Sequence, residues 1–149
     1  MGLIADIGPG AVAVDTAAFI YFIEDDPRYA PIVRPLFEQA DRSERQLVTS
    51  ALTLLEVLVV PLRAGDRQLA ERYESLLTRG RGLRLVDITR AQLEAAASLR
   101  AVTGARTPDA LQLAAAISAG CKTFVTSDRP LPAVPGLRVV QLSQYERQG

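Results

Sequence analysis

The chain of 149 residues has the length of one domain, and with 48% hydrophobic residues it is expected to form a buried core rather than a disordered segment. Its formal net charge is zero, from 17 basic and 17 acidic residues, and it contains no histidine. That composition excludes Ser-His-Asp and Cys-His catalysis and histidine-containing zinc sites, and it gives no bulk-charge indication of nucleic-acid binding.

Apolar runs without alternation predict strands buried on both faces, and a 3.6-residue apolar period predicts helices between them. In chain order we predict a strand at 11–15, helices at 16–24 and 29–42, a strand at 46–49, helices at 51–63 and 66–80, a strand at 83–88, helices at 90–102 and 107–120, and strands at 122–126 and 137–141. Pro35 should delay or kink its helix. Ser50 and Thr107 are the predicted caps of the helices that follow them. Strands alternating with helices predict a mainly parallel sheet with helices on both faces.

Two acidic residues lie at or just beyond the carboxyl ends of predicted strands. Asp15 ends the first strand, and Asp128 lies in the loop after the strand at 122–126. In open α/β sheets, functional sites lie at the carboxyl ends of strands, which favours a role for both. Asp15 could instead only cap a helix, and Asp128 could belong to an ordinary turn. Thr126 and Ser127 offer hydroxyls to the same region.

Two further acids lie on predicted helices. Glu56 has no lysine or arginine three or four positions away, since its helical neighbours are Leu52, Thr53, Val59 and Val60. A charge in such surroundings needs a partner, a metal or a proton, unless the residue lies on a narrow solvent-exposed stripe. Asp109 follows Pro108 at a helix start, where the helix dipole alone would favour an acid.

The four carboxylates of Asp15, Glu56, Asp109 and Asp128 can converge on one edge of a parallel sheet. Clustered carboxylates without a balancing lysine or histidine form an oxygen-rich site for a hard divalent cation, Mg²⁺ or Mn²⁺. The sequence therefore predicts a metal site at the carboxyl edge of the sheet.

The segments around these acids resemble the PIN-domain family, and within it the VapC toxins of bacterial toxin–antitoxin systems. The matching segments are residues 14–20, 49–57, 106–116 and 124–128, and the resemblance extends from about residue 12 to 142. Ala17 and Leu131 depart from the family, in which Asn or Ser and an aromatic residue are common at these positions. The resemblance implies a three-layer α/β/α sandwich with a mainly parallel five-stranded sheet, formed by a single domain over residues 1–149.

The resemblance also implies an activity, that of a Mg²⁺-dependent endoribonuclease. Such an enzyme would cleave RNA phosphodiesters with a metal-activated water and would be silenced by a cognate antitoxin. We expect Asp15 and Asp109 to be the principal metal ligands, Asp128 to complete the site, and Glu56 to act through water or to orient the nucleophile. Arg106 and Arg129 are candidate contacts for the RNA backbone.

Location and partners are also predicted. No apolar run approaches a membrane span of ~20 residues, and the N-terminus does not resemble a signal peptide, so we expect a cytoplasmic protein. The long apolar runs at 51–62 and 90–102 predict a homodimer and a complex with a small antitoxin.

Three alternatives use similar residues. A haloacid-dehalogenase-type phosphatase needs a second Asp two residues after the nucleophile, but Ala17 occupies that position after Asp15. A receiver-like domain needs a lysine at a strand end, whereas Lys122 begins a strand. A non-catalytic PIN-fold module that binds RNA or protein remains open, although such a module should have lost some of the acids. Metal-dependent RNA cleavage would separate it from the enzyme.

Overall fold

The computed structural model describes residues 2–127 and 130–146. In this part of the chain the elements are α1 (Leu3–Ile7), β1 (Val12–Val14), α2 (Thr16–Ile23), α3 (Ala30–Asp41), β2 (Leu47–Ser50), α4 (Leu52–Arg63), α5 (Arg67–Arg79), β3 (Leu83–Val86), α6 (Arg90–Thr103), α7 (Thr107–Ser118), β4 (Thr123–Thr126), β5 (Arg138–Gln141) and a 3-10 turn (Leu142–Tyr145). No helix among the described residues is long and apolar enough to cross a membrane.

Every predicted strand and helix is present, with bounds that differ by only a few residues. The prediction for Ser50 is wrong by one residue, because Ala51 occupies the cap position of α4 and Ser50 ends β2. The Ser50 hydroxyl still accepts a hydrogen bond from the backbone N–H of Leu52, the first helical residue, at 3.1 Å. Helix α3 runs through Pro35 without ending there. The prediction for Thr107 is wrong: Arg106 occupies the cap position and Thr107 is the first helical residue. The Thr107 hydroxyl instead accepts a hydrogen bond from the Arg100 guanidinium at 3.0 Å.

The five strands form one parallel sheet in the order β3-β2-β1-β4-β5. Alternate residues of each strand face opposite layers of helices, as the pleat requires. Val12 and Val14 join the core beneath α1, α2, α3 and α5, whereas Ala13 joins the core beneath α7. Helix α6 packs on α7 through Ala96 and Leu99. The predicted three-layer α/β/α sandwich is therefore confirmed.

The topology gathers several chain segments at one edge of the sheet. The carboxyl ends of parallel strands lie on the same side, so the residues that follow β1, β2 and β4 are neighbours there. The backbone N–H of Asp15 donates to the carbonyl of Val125 at 3.3 Å, which sets Asp15 beside the end of β4. Because α7 leads back to the start of β4, its own first turn also lies at this edge.

Candidate active site

Asp15 is a buried acid, 8% exposed, whose two carboxylate oxygens have different tasks. Oδ1 accepts a hydrogen bond from the backbone N–H of Ala18 at 3.4 Å, so Asp15 caps α2. Oδ2 accepts from the Thr126 hydroxyl at 2.7 Å and from the backbone N–H of Ser127 at 3.2 Å. Hydrogen bonds of this kind favour the charged carboxylate and hold its direction. Capping and a site role are therefore compatible in this residue.

Glu56 lies on α4, about one turn after the start of the helix, and the helix starts at the edge of the sheet. Its Oε1 accepts a hydrogen bond from the Thr16 hydroxyl on α2. It forms no ion pair with any residue in the described ranges. The partner that the apolar surroundings of Glu56 require is thus the hydroxyl of Thr16 on a neighbouring helix.

Asp109 lies in the first turn of α7 and is partly buried. Pro108 before it has the fixed φ that suits a first helical turn, and the N–H groups at that end of the helix favour a negative charge. The helix start therefore places an acid where α7 meets the carboxyl edge of the sheet.

One cavity of about 290 Å³ brings these acids together. Its wall includes the three acids Asp15, Glu56 and Asp109 and the hydroxyl residues Thr126 and Ser127. The structure brings these five predicted residues together at one cavity. Asp128 and Arg129, predicted as a ligand and an RNA contact, lie outside the described residues.

A wider groove of about 800 Å³ adjoins the cavity and shares Asp109 and Leu131 with it. Arg106 is exposed and lines this groove. A guanidinium is suited to bidentate contacts with phosphate, and here it lies beside the acids rather than among them. Arg106 therefore brings a positive charge to the groove beside the cavity.

Sequence reasoning missed three polar residues of the site: Thr16, Gln112 and Tyr21. The Thr16 hydroxyl donates a hydrogen bond to Glu56, and Gln112 lines the cavity. The pKa of Tyr21 is raised, first by burial and then by the nearby charge of Asp15, and its hydroxyl bonds with the side chain of Ser127. The sequence did contain an indication for Gln112. Like Glu56, it is a polar residue in an apolar helix, and a buried polar side chain must find hydrogen-bond partners.

Whether a metal ion fits the cavity depends on the side-chain atoms that could coordinate it. Among the described residues, which do not include Asp128, no three Asp, Glu or Cys side chains are close enough to form a ready ligand cluster. All side-chain donors at the cavity that could bind a metal nevertheless use oxygen. Mg²⁺ prefers such donors and usually keeps several waters, being held by only one or two carboxylates. The residues therefore fit a hydrated Mg²⁺ or Mn²⁺, with Asp15 and Asp109 as carboxylates that would hold it.

Comparison with known proteins adds independent information. The family model described as "PIN domain" matches residues 12–137. A search of curated proteins found no match. Among solved structures, the chain is similar to a chain of VapBC2 from Rickettsia felis bound to a promoter DNA fragment, with a TM-score of 0.68, 17% identity, and coverage of 88% of this chain and 98% of that one.

Two further solved structures are similar at comparable levels. A chain of a toxin–antitoxin complex from Klebsiella pneumoniae has a TM-score of 0.64 and 19% identity, covering 88% of this chain and 97% of that one. VapC20 of Mycobacterium tuberculosis, described as a Sarcin-Ricin loop cleaving toxin, has a TM-score of 0.61 and 16% identity, covering 76% of this chain and 86% of that one. At these identities the similarity establishes a shared fold.

Proposed function

The chain belongs to the PIN-domain family, and from that premise we propose that it is a metal-dependent endoribonuclease and the toxin of a toxin–antitoxin pair. The observation on which the proposal rests is the convergence of Asp15, Glu56 and Asp109 on one cavity at the carboxyl edge of the sheet. The toxin role is supported by the similar folds in toxin–antitoxin complexes and in a Sarcin-Ricin loop cleaving toxin.

The residues of the cavity suit hydrolysis of a phosphodiester. Asp15 and Asp109 would hold a divalent cation, with Asp128 as the proposed third ligand. When bound, such an ion lowers the pKa of a water molecule and offsets the negative charge of the phosphate. Glu56 would orient the attacking water by accepting one of its protons in a hydrogen bond. Thr126 and the backbone N–H of Ser127 keep the Asp15 carboxylate in place.

The RNA backbone would approach through the groove beside the cavity. Arg106 would contact phosphates there, because a guanidinium can bind two phosphate oxygens at once. Arg129 remains a second proposed phosphate contact. Such contacts position a nucleic acid without reading its sequence.

Cleavage of RNA by the purified protein tests the proposal. The protein, freed of any antitoxin, should cut a structured RNA in the presence of Mg²⁺ or Mn²⁺ and should stop when a chelator is added. A non-catalytic PIN-fold module would bind the RNA without cutting it under both conditions. Cleavage at full rate in excess chelator would show that the metal mechanism is wrong.

The exposed apolar side chains support the proposed partners. Helix α4 exposes Leu55, Val60 and Leu62 by 61%, 67% and 61%, and α6 exposes Val102 by 86%. On α4, Leu55 and Leu62 lie two turns apart on the same face of the helix, and exposed apolar side chains that share a face are typical of protein contact sites. We therefore expect a homodimer in light scattering at micromolar concentration, and a small co-purifying protein that inhibits RNA cleavage. A monomer would contradict the first expectation, and a host extract with no small inhibitory partner would contradict the second.

A further inference from the structure

A buried polar cluster, formed by Thr49, Thr53 and Gln112, lies behind Glu56. Gln112 is 6% exposed, Thr49 1% and Thr53 0%. The Gln112 Nε2 donates to the Thr53 hydroxyl at 2.9 Å, and its Oε1 accepts from the backbone N–H of Ser50 at 3.1 Å. The hydroxyls of Thr49 and Thr53 are 2.7 Å apart. Three elements, β2, α4 and α7, are joined by this cluster beneath the cavity.

The cluster is connected to Glu56 through one further hydroxyl. The Oγ1 atoms of Thr53 and Thr16 are 3.3 Å apart, and Thr16 donates to Glu56 Oε1. Thr53 itself is fully buried and is not part of the cavity wall, so it reaches neither a substrate nor a cation. Whatever it contributes to the site must act through Thr16.

The direction of these hydrogen bonds follows from the single hydrogen that each hydroxyl has. Thr16 uses its hydrogen on the Glu56 carboxylate, which can only accept while it is ionised. In the contact between Thr53 and Thr16, only Thr53 can then be the donor. The Thr49 hydroxyl has two acceptors within reach, the Gln112 Oε1 at 3.2 Å and the Thr53 hydroxyl at 2.7 Å, and when it donates to the nearer one the hydrogen of Thr53 is directed to Thr16. The amide of Gln112 also donates to Thr53. In this arrangement one path of hydrogen bonds leads from the Gln112 amide through Thr53 and Thr16 to Glu56.

Such a path has two physical consequences. Hydrogen bonds in series polarise one another, so the final bond to the carboxylate is strengthened. The path also restricts the rotation of a glutamate side chain that has no ion pair among the described residues, and it leaves the second carboxylate oxygen, Oε2, available to the cavity. A side chain that is already held in the orientation needed for catalysis loses less conformational entropy when the substrate binds.

We propose that Thr53, oriented by Gln112, is a positioning residue that directs the Glu56 carboxylate toward the attacking water. This inference rests on the proposed ribonuclease function. A purely structural cluster would stabilise the fold equally well but would have no specific effect on Glu56, so the two roles predict different results.

Three substitutions separate these roles. Thr53→Val keeps the shape but removes the hydroxyl from the path, and Thr53→Ser keeps the hydroxyl. Thr49→Val is the control within the cluster. It removes a hydroxyl of similar burial, with its contacts to Gln112 and Thr53, but leaves the bond from Ser50 to Gln112, the bond from Gln112 to Thr53 and the contact between Thr53 and Thr16 in place. Thermal melts show which variants are folded, and Thr53→Ala replaces Thr53→Val if the latter does not fold.

We expect Thr53→Val to lower kcat by roughly 10-fold or more, with KM changed by less than about twofold, as is typical when a residue that orients a functional group is lost. Thr53→Ser should restore most of kcat. Thr49→Val should lower the melting temperature by an amount similar to Thr53→Val but keep kcat. Calorimetric titration with Mn²⁺, in the absence of RNA, should show weaker binding for Thr53→Val and unchanged binding for Thr49→Val.

A double-mutant cycle completes the test. In a Glu56→Ala background, Thr53→Val should change neither the single-turnover rate nor Mn²⁺ affinity by more than about twofold, because its target is gone. Equal effects of Thr53→Val with and without Glu56, or equal loss of kcat in Thr49→Val and Thr53→Val, would overturn the positioning role while leaving the ribonuclease function intact. A wild-type protein that cuts no RNA with Mg²⁺ or Mn²⁺ would overturn both.

Discussion

Asp15→Asn should lower the rate of RNA cleavage by more than about 100-fold and leave the protein folded. Even the outer partners of metal ligands are worth roughly 10–100-fold in activity, and Asp15 is proposed as a direct ligand. Asparagine is as good a helix cap as aspartate, so the hydrogen bond from the Ala18 N–H at 3.4 Å can persist. An asparagine that keeps this cap turns its amide NH2 group toward the Thr126 hydroxyl and the Ser127 N–H, so the change removes the charge and also the hydrogen bond that the Ser127 N–H donates. Cleavage rates at saturating Mg²⁺, together with circular dichroism, measure both outcomes.

Asp66→Asn is the matched control for this substitution. Asp66 caps α5 by accepting from the Leu69 N–H at 3.1 Å, and it is exposed and not part of the cavity wall. The control makes the same chemical change at a helix start, and it should cleave RNA at the wild-type rate. Equal activity of wild type, Asp15→Asn and Asp66→Asn would show that Asp15 is only a helix cap.

Asp109→Asn should reduce the response of the melting temperature to Mg²⁺. An ion bound by the folded protein stabilises it by ~2.7 kcal/mol at a hundred times its dissociation constant. For a chain of this length that gain corresponds to roughly 5–10 °C. The variant loses a carboxylate proposed to hold the ion, and it should gain much less. Melts with Mg²⁺ and with chelator, for each protein, provide the comparison.

In chelator the same substitution should not lower the melting temperature. Several acids lining one cavity repel one another when no cation is present, and neutralising one relieves that repulsion. The lost interaction with the helix dipole, ~0.3–1 kcal/mol, opposes the gain, and we expect the repulsion to exceed it. Glu71→Gln, an exposed residue of α5, is the control and should match the wild type in both conditions. A variant that melts lower in chelator and responds to Mg²⁺ as the wild type does would show that Asp109 only begins a helix.

The placement of the acids could be predicted from the sequence because it depends on a general rule. Asp15 ends a run of small apolar residues, and strand ends in a parallel sheet share one edge. Asp109 begins the helix that leads into the next buried strand. Glu56 was noticeable because a charge between leucines and valines needs a partner. None of these arguments required knowledge of a distant contact.

The partners of those acids could not be predicted, because they come from distant parts of the chain. Thr53 and Gln112 are 59 residues apart in sequence, and no spacing rule connects them. The prediction of Thr107 as a helix cap is wrong for a different, local reason: the helix begins at Thr107 itself, and the Thr107 hydroxyl accepts a hydrogen bond from Arg100, seven residues earlier. The five-residue α1 was missed because such a short helix depends on packing, here through Leu3 and Ile7, rather than on its own propensity.

The ends of the RNA products test the central claim most directly. Hydrolysis by a water molecule activated in the acidic cavity leaves a 5′-phosphate and a 3′-hydroxyl, because the ribose 2′-hydroxyl does not take part. We predict these ends, by mass spectrometry of a single cleaved oligonucleotide, from wild-type protein with Mg²⁺, and no cleavage in chelator. A 5′-hydroxyl with a 2′,3′-cyclic phosphate, formed with or without Mg²⁺, would contradict the account.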